Sequence, residues 1–328
     1  MSSRALAWVP ALWLVGCSSV SARPDAGSAD AAEAEDAVIV DVGAPAADAG
    51  VAAVDAAPSP DAGADAGGPA ADAGAPASDA GVPSPDAGMA ALRLPPLNGG
   101  LDYQLGGAYP PPANVSIVSR DRSAAPAPGL YNICYLNGFQ IQPDEVNTWM
   151  TQHPEMMLRD SNGALVIDQD WNEILIDIRT PAQRDTLAAV VGEWIRGCKT
   201  AGFDAIEIDN LDSYSRSGGL LTEDQAVLAM HLISDLAHAQ NLAIAQKNSA
   251  ELVGRRAELG TDFVVAEECN RYSECGTYTA GYGDHVLVIE YRRADFSAGC
   301  AAYPNLSIVL RDRNLVTPGQ GAYVYDGC

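Results

Sequence analysis

Residues 180–210 read TPAQRDTLAAVVGEWIRGCKTAGFDAIEIDN, a helix handed directly to a strand. Thr180, Pro181 and Gln183 supply a capping hydroxyl, a proline suited to the first helical position and a side chain that can return to the cap N–H. Leu187, Val190, Val191, Trp194 and Ile195 then recur at i, i+3, i+4, i+7 and i+8, which makes one apolar helix face. Gly202 stands where a helix ends in the left-handed conformation. Ala205–Asp209 follows as a short strand and finishes on Asp209-Asn210. A capped helix that feeds a buried strand is the repeating unit of a parallel sheet.

The same alternation extends in both directions. Thr222 with Gln225 opens a second helix that runs to about Gln240. Strands are expected at Val115–Ser119, Tyr131–Leu136, Ile174–Ile178, Ala205–Asp209, Leu242–Gln246, Phe263–Glu267, Val286–Glu290 and Ser307–Leu310, with Asp102–Leu105 as a ninth candidate. Most are continuous apolar runs, as in parallel strands covered on both faces. This pattern fits a (β/α)8 barrel or a doubly wound sheet. The chain has no G-x-G-x-x-G, no Walker lysine motif and no G-x-S-x-G elbow, which weighs against nucleotide-binding sheets and α/β-hydrolases. The expected fold is therefore an α/β (β/α)8 TIM barrel.

Polar residues gather where these strands end. Asp209-Asn210, Glu267-Glu268, Glu290-Tyr291, Lys247-Asn248 and Arg311-Asp312 each follow an apolar run, and Ile174–Ile176 leads into Asp177 and Arg179. In a barrel, the C-terminal strand ends form one rim, where catalytic groups collect. Several carboxylates converging on one rim suggest carboxylate-pair chemistry on a sugar. His153, His231, His238 and His285 lack metal-ligand spacing, and no Ser-His-Asp or Cys-His set is evident. Two carboxylates suffice for glycoside hydrolysis, so neither a metal nor an organic cofactor is expected.

The barrel follows a segment of different character. Met1–Gly16 has Arg4 and then an apolar stretch too short to span a bilayer, as in a signal peptide. Leu14-Val15-Gly16-Cys17 resembles a bacterial lipobox, which implies that Cys17 is acylated and holds the protein to a membrane. Ser18 at the next position resembles lipoproteins sorted to the outer membrane. Residues 17–94 repeat Asp-Ala-Gly with scattered Pro and little that could form a core, so a disordered tether is expected there. The domains read as a leader at 1–16, a tether at 17–94 and a barrel at 95–328.

The first 94 residues carry 13 acidic and three basic groups, and the rest of the chain carries 30 and 16. The barrel is thus acidic in its own right, which argues against a nucleic-acid partner and is compatible with a cationic or neutral ligand. Six cysteines lie in the barrel region, an even number in an exported chain, which suggests three disulfides. Cys269 and Cys275 flank a short polar loop and are expected to pair. Cys300 with Cys328 and Cys134 with Cys198 follow by elimination. The oligomeric state is open.

Asp102-Tyr103-Gln104-Leu105-Gly106-Gly107, Tyr131–Asn137, Leu175–Arg179, Gly202–Ala205 leading to Asp209–Tyr214, Ala245–Asn248, Ala266–Cys269 and Ile289–Tyr291 occur in that order. Together they closely resemble glycoside hydrolase family 114, which contains endo-α-1,4-polygalactosaminidases with a TIM-barrel domain. The resemblance covers about residues 100–328. It implies an endo-acting hydrolase of an α-1,4-linked galactosamine-rich polysaccharide, a cationic amino-sugar polymer, with Asp209 and Glu267 as the catalytic pair. Glu268 leaves a one-residue ambiguity, because neighbours on a strand face opposite ways. Glu207 shares the face of Asp209 and is a candidate substrate contact, as are Asp102, Tyr135, Asp177, Lys247, Glu290 and Tyr291. The rival readings are a carbohydrate-binding lipoprotein without activity and a hydrolase of another α-glycan.

Overall fold

The computed structural model describes residues 92–328. The expected leader, Cys17 and nearly all of the expected tether lie outside the described residues. In chain order the elements are β1 (Gly100–Tyr103), β2 (Val115–Asp121), β3 (Tyr131–Asn137), β4 (Gln140–Ile141), α1 (Val146–Gln152), β5 (Ile167–Asp168), β6 (Glu173–Leu175), α2 (Pro181–Ala201), β7 (Ala205–Asp209), α3 (Ser213–Arg216), α4 (Glu223–Ala239), β8 (Ala243–Lys247), α5 (Arg256–Leu259), β9 (Phe263–Glu267), α6 (Cys275–Tyr282), β10 (Val286–Glu290), α7 (Arg293–Ala302), β11 (Ser307–Arg311) and β12 (Tyr325–Gly327).

Eight strands run parallel in the order β1-β2-β3-β7-β8-β9-β10-β11, and β12 adds antiparallel to β11. The sheet curls into a nearly closed barrel of TIM type. Helices cover it from β3 onward, whereas loops join β1 to β2 and β2 to β3. Pro110, Pro111 and Pro112 in the first loop, and Pro126 and Pro128 in the second, remove the N–H donors a helix would need there. Both expected capping boxes form, at Thr180 with Gln183 and at Thr222 with Gln225, and Gly202 closes α2 at φ 98°.

One strand assignment needs correction. Ile174–Ile178 is not a barrel strand. Glu173–Leu175 belongs to a separate antiparallel sheet, β4-β6-β5, inserted between β3 and α2. The eighth place in the barrel is taken by β1. The misreading has a physical cause: Ile174, Leu175, Ile176 and Ile178 are buried in the same apolar layer as α2 and α4, so they carry the hydrophobic signature of a barrel strand.

All eight parallel strands contribute to the interior. Leu101 and Tyr103, Ile117, Tyr131 and Ile133, Ala205, Ala243 and Ala245, Phe263 and Val265, Leu287 and Ile289, and Val309 form one buried cluster. Small residues on β7 and β8 make room for the rings of Tyr103, Tyr131 and Phe263. Alternate residues face outward: Ile206, Ile208 and Ile244 pack under α2 and α4, while Val264, Val288 and Ile308 pack under α6 and α7. The floor is sealed by the incoming chain. Leu94 packs on the interior cluster, Tyr131 donates to the Arg93 carbonyl at 2.6 Å, and the Arg93 guanidinium meets Asp204 at 2.7 Å.

The disulfides pair Cys134 with Cys198, Cys269 with Cys275 and Cys300 with Cys328, as expected from the sequence. They tie β3 to α2, close the loop after β9, and fasten α7 to the last residue.

Ladder hydrogen bonds do not join β1 to β11. Side chains close that seam instead. The Arg311 guanidinium, fully buried, donates to the Asp102 carboxylate at 3.1 Å and to the carbonyls of Tyr103, Val316 and Val324. Asp102 also accepts from Gln104 at 2.7 Å and from Tyr109 at 2.9 Å. Removing one partner of such a pair strands a charge in the interior. Arg311→Met should therefore lower unfolding free energy by about 3–5 kcal/mol, read from the urea midpoint at constant m-value. A loss within the error of the extrapolation would show that the seam is held by other contacts.

Candidate active site

Strand parity decides which groups reach the barrel mouth. With Ala205, Ala243, Phe263 and Ile133 facing inward, so do Glu207 and Asp209, Lys247, Glu267, and Tyr135. In register, Tyr135 lies beside Glu207 and Asn137 beside Asp209. The residue after each of three strand ends turns sharply. Asn210 has φ 63°, Asn248 φ 48° and Glu268 φ 55°. These left-handed residues stop the strands at Asp209, Lys247 and Glu267 and leave those three side chains at the rim. Asparagine tolerates this conformation through its short polar side chain. Glu268 lacks that tolerance, and its carboxylate is held by Arg271 at 2.7 Å and Arg313 at 2.5 Å.

Lys247 is the centre of the site. Its ammonium lies 3.3 Å from Asp209, 3.2 Å from Glu267 and 3.4 Å from Glu207, and it donates to the Tyr103 hydroxyl at 3.1 Å. Lys247 and Glu207 are both buried. Glu207 also accepts from Tyr103 at 2.6 Å and from Ser119 at 2.7 Å, below the level of the open cleft. Asp209 accepts from Tyr135 at 2.7 Å and from the Asn210 N–H at 2.9 Å. Glu267 accepts from the Tyr291 hydroxyl and from Asn248 at 3.4 Å, while Asn248 in turn accepts from the Glu267 backbone N–H at 2.8 Å.

The environments differ in what they do to protons. Burial works against the Asp209 charge, but Lys247, the Tyr135 hydroxyl and the Asn210 N–H outweigh it and hold the carboxyl below the usual aspartate range. For Glu207 burial wins over Lys247 and its two hydroxyl donors, so its carboxyl is pushed up. Burial also opposes the Lys247 charge, yet Asp209, Glu267 and Glu207 together hold the ammonium well above the ordinary lysine value.

A cleft of about 430 Å³ opens above these groups. One wall comes from the inserted sheet and its flank: Trp171, 60 % exposed, and Glu173, which accepts from Asn137 at 2.8 Å. Burial pushes the Glu173 carboxyl up, more than the Asn137 donor lowers it. Leu315, Asn314 and Arg313 form the opposite wall. There the chain passes so close to Gly106 that a Cβ on that residue would stand 2.3 Å from the Leu315 carbonyl oxygen.

Of the residues singled out from sequence, Asp209, Glu267, Lys247, Tyr135 and Tyr291 line this cleft, and Glu207 lies directly beneath it. The others do not reach it. Asp102 faces the β1–β11 seam. Asp177 is buried under the start of α2 and paired with Arg179 at 2.6 Å. Glu290 follows the inward Ile289, so it points outward beneath the Cys269–Cys275 loop and accepts from the Asn270 N–H at 2.9 Å. Burial there pushes its carboxyl up to about 7. The sulfurs of that loop lie near Glu290, but they are joined to each other and are not metal ligands. Glu268 turns from the ammonium toward its two arginines. Asn248 was legible only as a polar strand end, and Tyr103, Trp171, Glu173 and Arg313 were not expected in the cleft. Tyr103 was legible by parity with Leu101, whereas Trp171 sits in a polar turn with no periodic signal.

The match of a model of glycoside-hydrolase family GH114 extends over residues 82–328. Among solved structures, the chain resembles Ega3 of Aspergillus fumigatus, solved in complex with galactosamine, at 21 % identity and TM-score 0.58, covering 73 % of this chain and 99 % of that one. It also resembles the glycoside hydrolase domain of PelA from Pseudomonas aeruginosa at 15 % identity and TM-score 0.48, covering 67 % and 97 %. No curated protein matches.

The proton balance around Lys247 makes a prediction. In the intact site the Asp209 carboxyl lies below its ordinary value of about 4, so its stabilising contribution is present above that pH and is lost as pH falls through the lowered value. Lys247→Met removes the largest opposition to burial, leaving only hydroxyl and N–H donors, and reverses the sign: the carboxyls rise, and stability is lost as pH increases. The variant should lose about 3–5 kcal/mol at neutral pH, and less near pH 5. The acidic limb of any rate profile should move to higher pH. A pH-independent loss would remove the coupling argued here.

Proposed function

Because the chain belongs to glycoside-hydrolase family GH114, we propose that its barrel cleaves an α-1,4-linked, galactosamine-rich polysaccharide at internal bonds, with Asp209 and Glu267 as the reacting carboxyls. The observation that carries this reading is that one ammonium touches both carboxyls at the mouth of the barrel. Each oxygen lies about 3.3 Å from the same nitrogen, so the two are no further apart than about twice that contact. That bound on the nearest oxygens accommodates the ~5–5.5 Å of a retaining pair.

Asp209, kept ionised by Lys247 and Tyr135, attacks the anomeric carbon as Glu267 gives its proton to the departing glycosidic oxygen. A covalent glycosyl-enzyme and a shortened chain result. Glu267 then takes a proton from water, whose oxygen attacks the anomeric carbon and frees Asp209. Glu267 suits proton exchange because its side chain is the more exposed, 28 % against 20 % for Asp209. The substrate class is supported by the likeness to a structure holding galactosamine and by the charge of the cleft. Asp209, Glu267 and Glu207 share one ammonium, and Glu173 and Asp212 line the cleft with Arg216 and Arg313, so acidic groups outnumber cations there and a protonated amino sugar adds the positive charge this arrangement favours. Acylation of Cys17 and attachment to the outer membrane belong to the same proposal.

Asp209→Asn and Glu267→Gln should each lower turnover of galactosamine polymer about 10²–10⁴-fold, with little change in melting temperature. Glu268→Gln, remote from the ammonium, should be milder. Proton NMR of the first product should show the α-anomer. A β-anomer would exclude the double displacement, and full activity in both carboxyl variants would exclude the pair.

A further inference from the structure

A second cleft, of about 460 Å³, continues from the first across the barrel mouth. Trp171, Glu267, Tyr291 and Arg313 line both, so the two make one groove. Asp209 and Lys247 line only the first, and Tyr272 lines only the second. That asymmetry gives the groove a direction. In the double displacement argued above, the nucleophile lies under the anomeric carbon and the acid lies toward the leaving oxygen. The cleft containing both carboxyls then holds the sugar under attack. The cleft that meets Glu267 without Asp209 lies where the departing part of the chain runs.

Two aromatic rings stand open along this groove, Trp171 at 60 % and Tyr272 at 58 % exposure. A single exposed ring is unremarkable. Two in one groove that leads away from the reacting carboxyls form a binding surface. Tyr272 is also fixed in place. Its loop is closed by Cys269–Cys275, its N–H donates to the Glu268 carbonyl at 3.1 Å, and the Glu274 N–H donates to the Cys269 carbonyl at 2.7 Å. The Arg271 guanidinium lies 5.2 Å from the centre of the Tyr272 ring. A ring ordered before binding loses little freedom when a ligand packs on it.

We propose that the second cleft is the track for the leaving-group side of the polymer, with Trp171 at the junction and Tyr272 as the platform for a sugar beyond the cleaved bond. The inference rests on the galactosamine-polymer reading above. An apolar sugar face packs on the tyrosine ring, and a protonated amino group beside it is drawn to the ring's negative face.

The test is calorimetric titration of Glu267→Gln with α-1,4-galactosamine oligosaccharides of increasing length. Affinity should rise with length. Adding Tyr272→Ala should remove about three- to fivefold of that rise, and Tyr272→Trp should restore it. In the active enzyme, Tyr272→Ala should raise KM for long substrates with kcat little moved. A length dependence that survives Tyr272→Ala, or a fall in kcat at constant KM, overturns the platform. If no galactosamine oligosaccharide binds at any length and the unsubstituted protein cleaves none, the substrate reading fails and the inference fails with it.

Discussion

Lys247 carries a positive charge in among three carboxyls and two phenols. Glu207 and Asp209 come from one strand and Glu267 from another, and their carboxyls would repel one another if ionised together without a cation between them. The ammonium lets them share the mouth, yet it cannot neutralise all three. The surplus negative charge is divided by depth. Burial opposes the charge of both Glu207 and Asp209: it prevails at Glu207, fully enclosed, and is outweighed at Asp209 by Lys247, the Tyr135 hydroxyl and the Asn210 N–H. The arrangement asks much of the surrounding barrel. Tyr103, Ser119 and Tyr135 must stand at fixed heights on β1, β2 and β3 to satisfy these carboxyls, so the core and the site share one set of strand registers.

Most of the barrel was legible because its strands are short apolar runs flanked by capped helices. The two capping boxes and Gly202 leave little freedom for α2, α4 and the strands that follow them. Ile174–Ile178 was not legible as what it is. Burial against α2 imposes the same hydrophobic run on a short antiparallel strand as on a barrel strand, and a run of four or five residues does not disclose its partner. β1 was legible only as a surplus candidate. Its four residues are followed by Gly106, Gly107 and three prolines, so no helix marks it as part of a β/α unit.

The site was legible to the extent that parity was applied. Glu207, Asp209 and Glu267 alternate with outward residues and therefore face the interior, as the period of two requires. The same rule places Asp102 opposite Tyr103, and Glu290 opposite Ile289, outside the barrel. Acidity drew attention to both, although their neighbours had already claimed the inward face. Trp171 and Arg313 were beyond reach for a different reason. They come from loops, and what brings them to the cleft is the path of the inserted sheet and of the chain after β11, which no local periodicity encodes.

The sealed floor gives the barrel two distinct poles. The chain enters at the N-terminal ends of β3 and β7, where Arg93 and Leu94 are gripped by Asp204, Tyr131 and the interior cluster. The groove opens at the other ends of the same strands. Arg93 and the groove therefore lie at opposite poles of the barrel. A long polymer can thus lie across the mouth without meeting the Arg93–Leu94 segment that seals the floor.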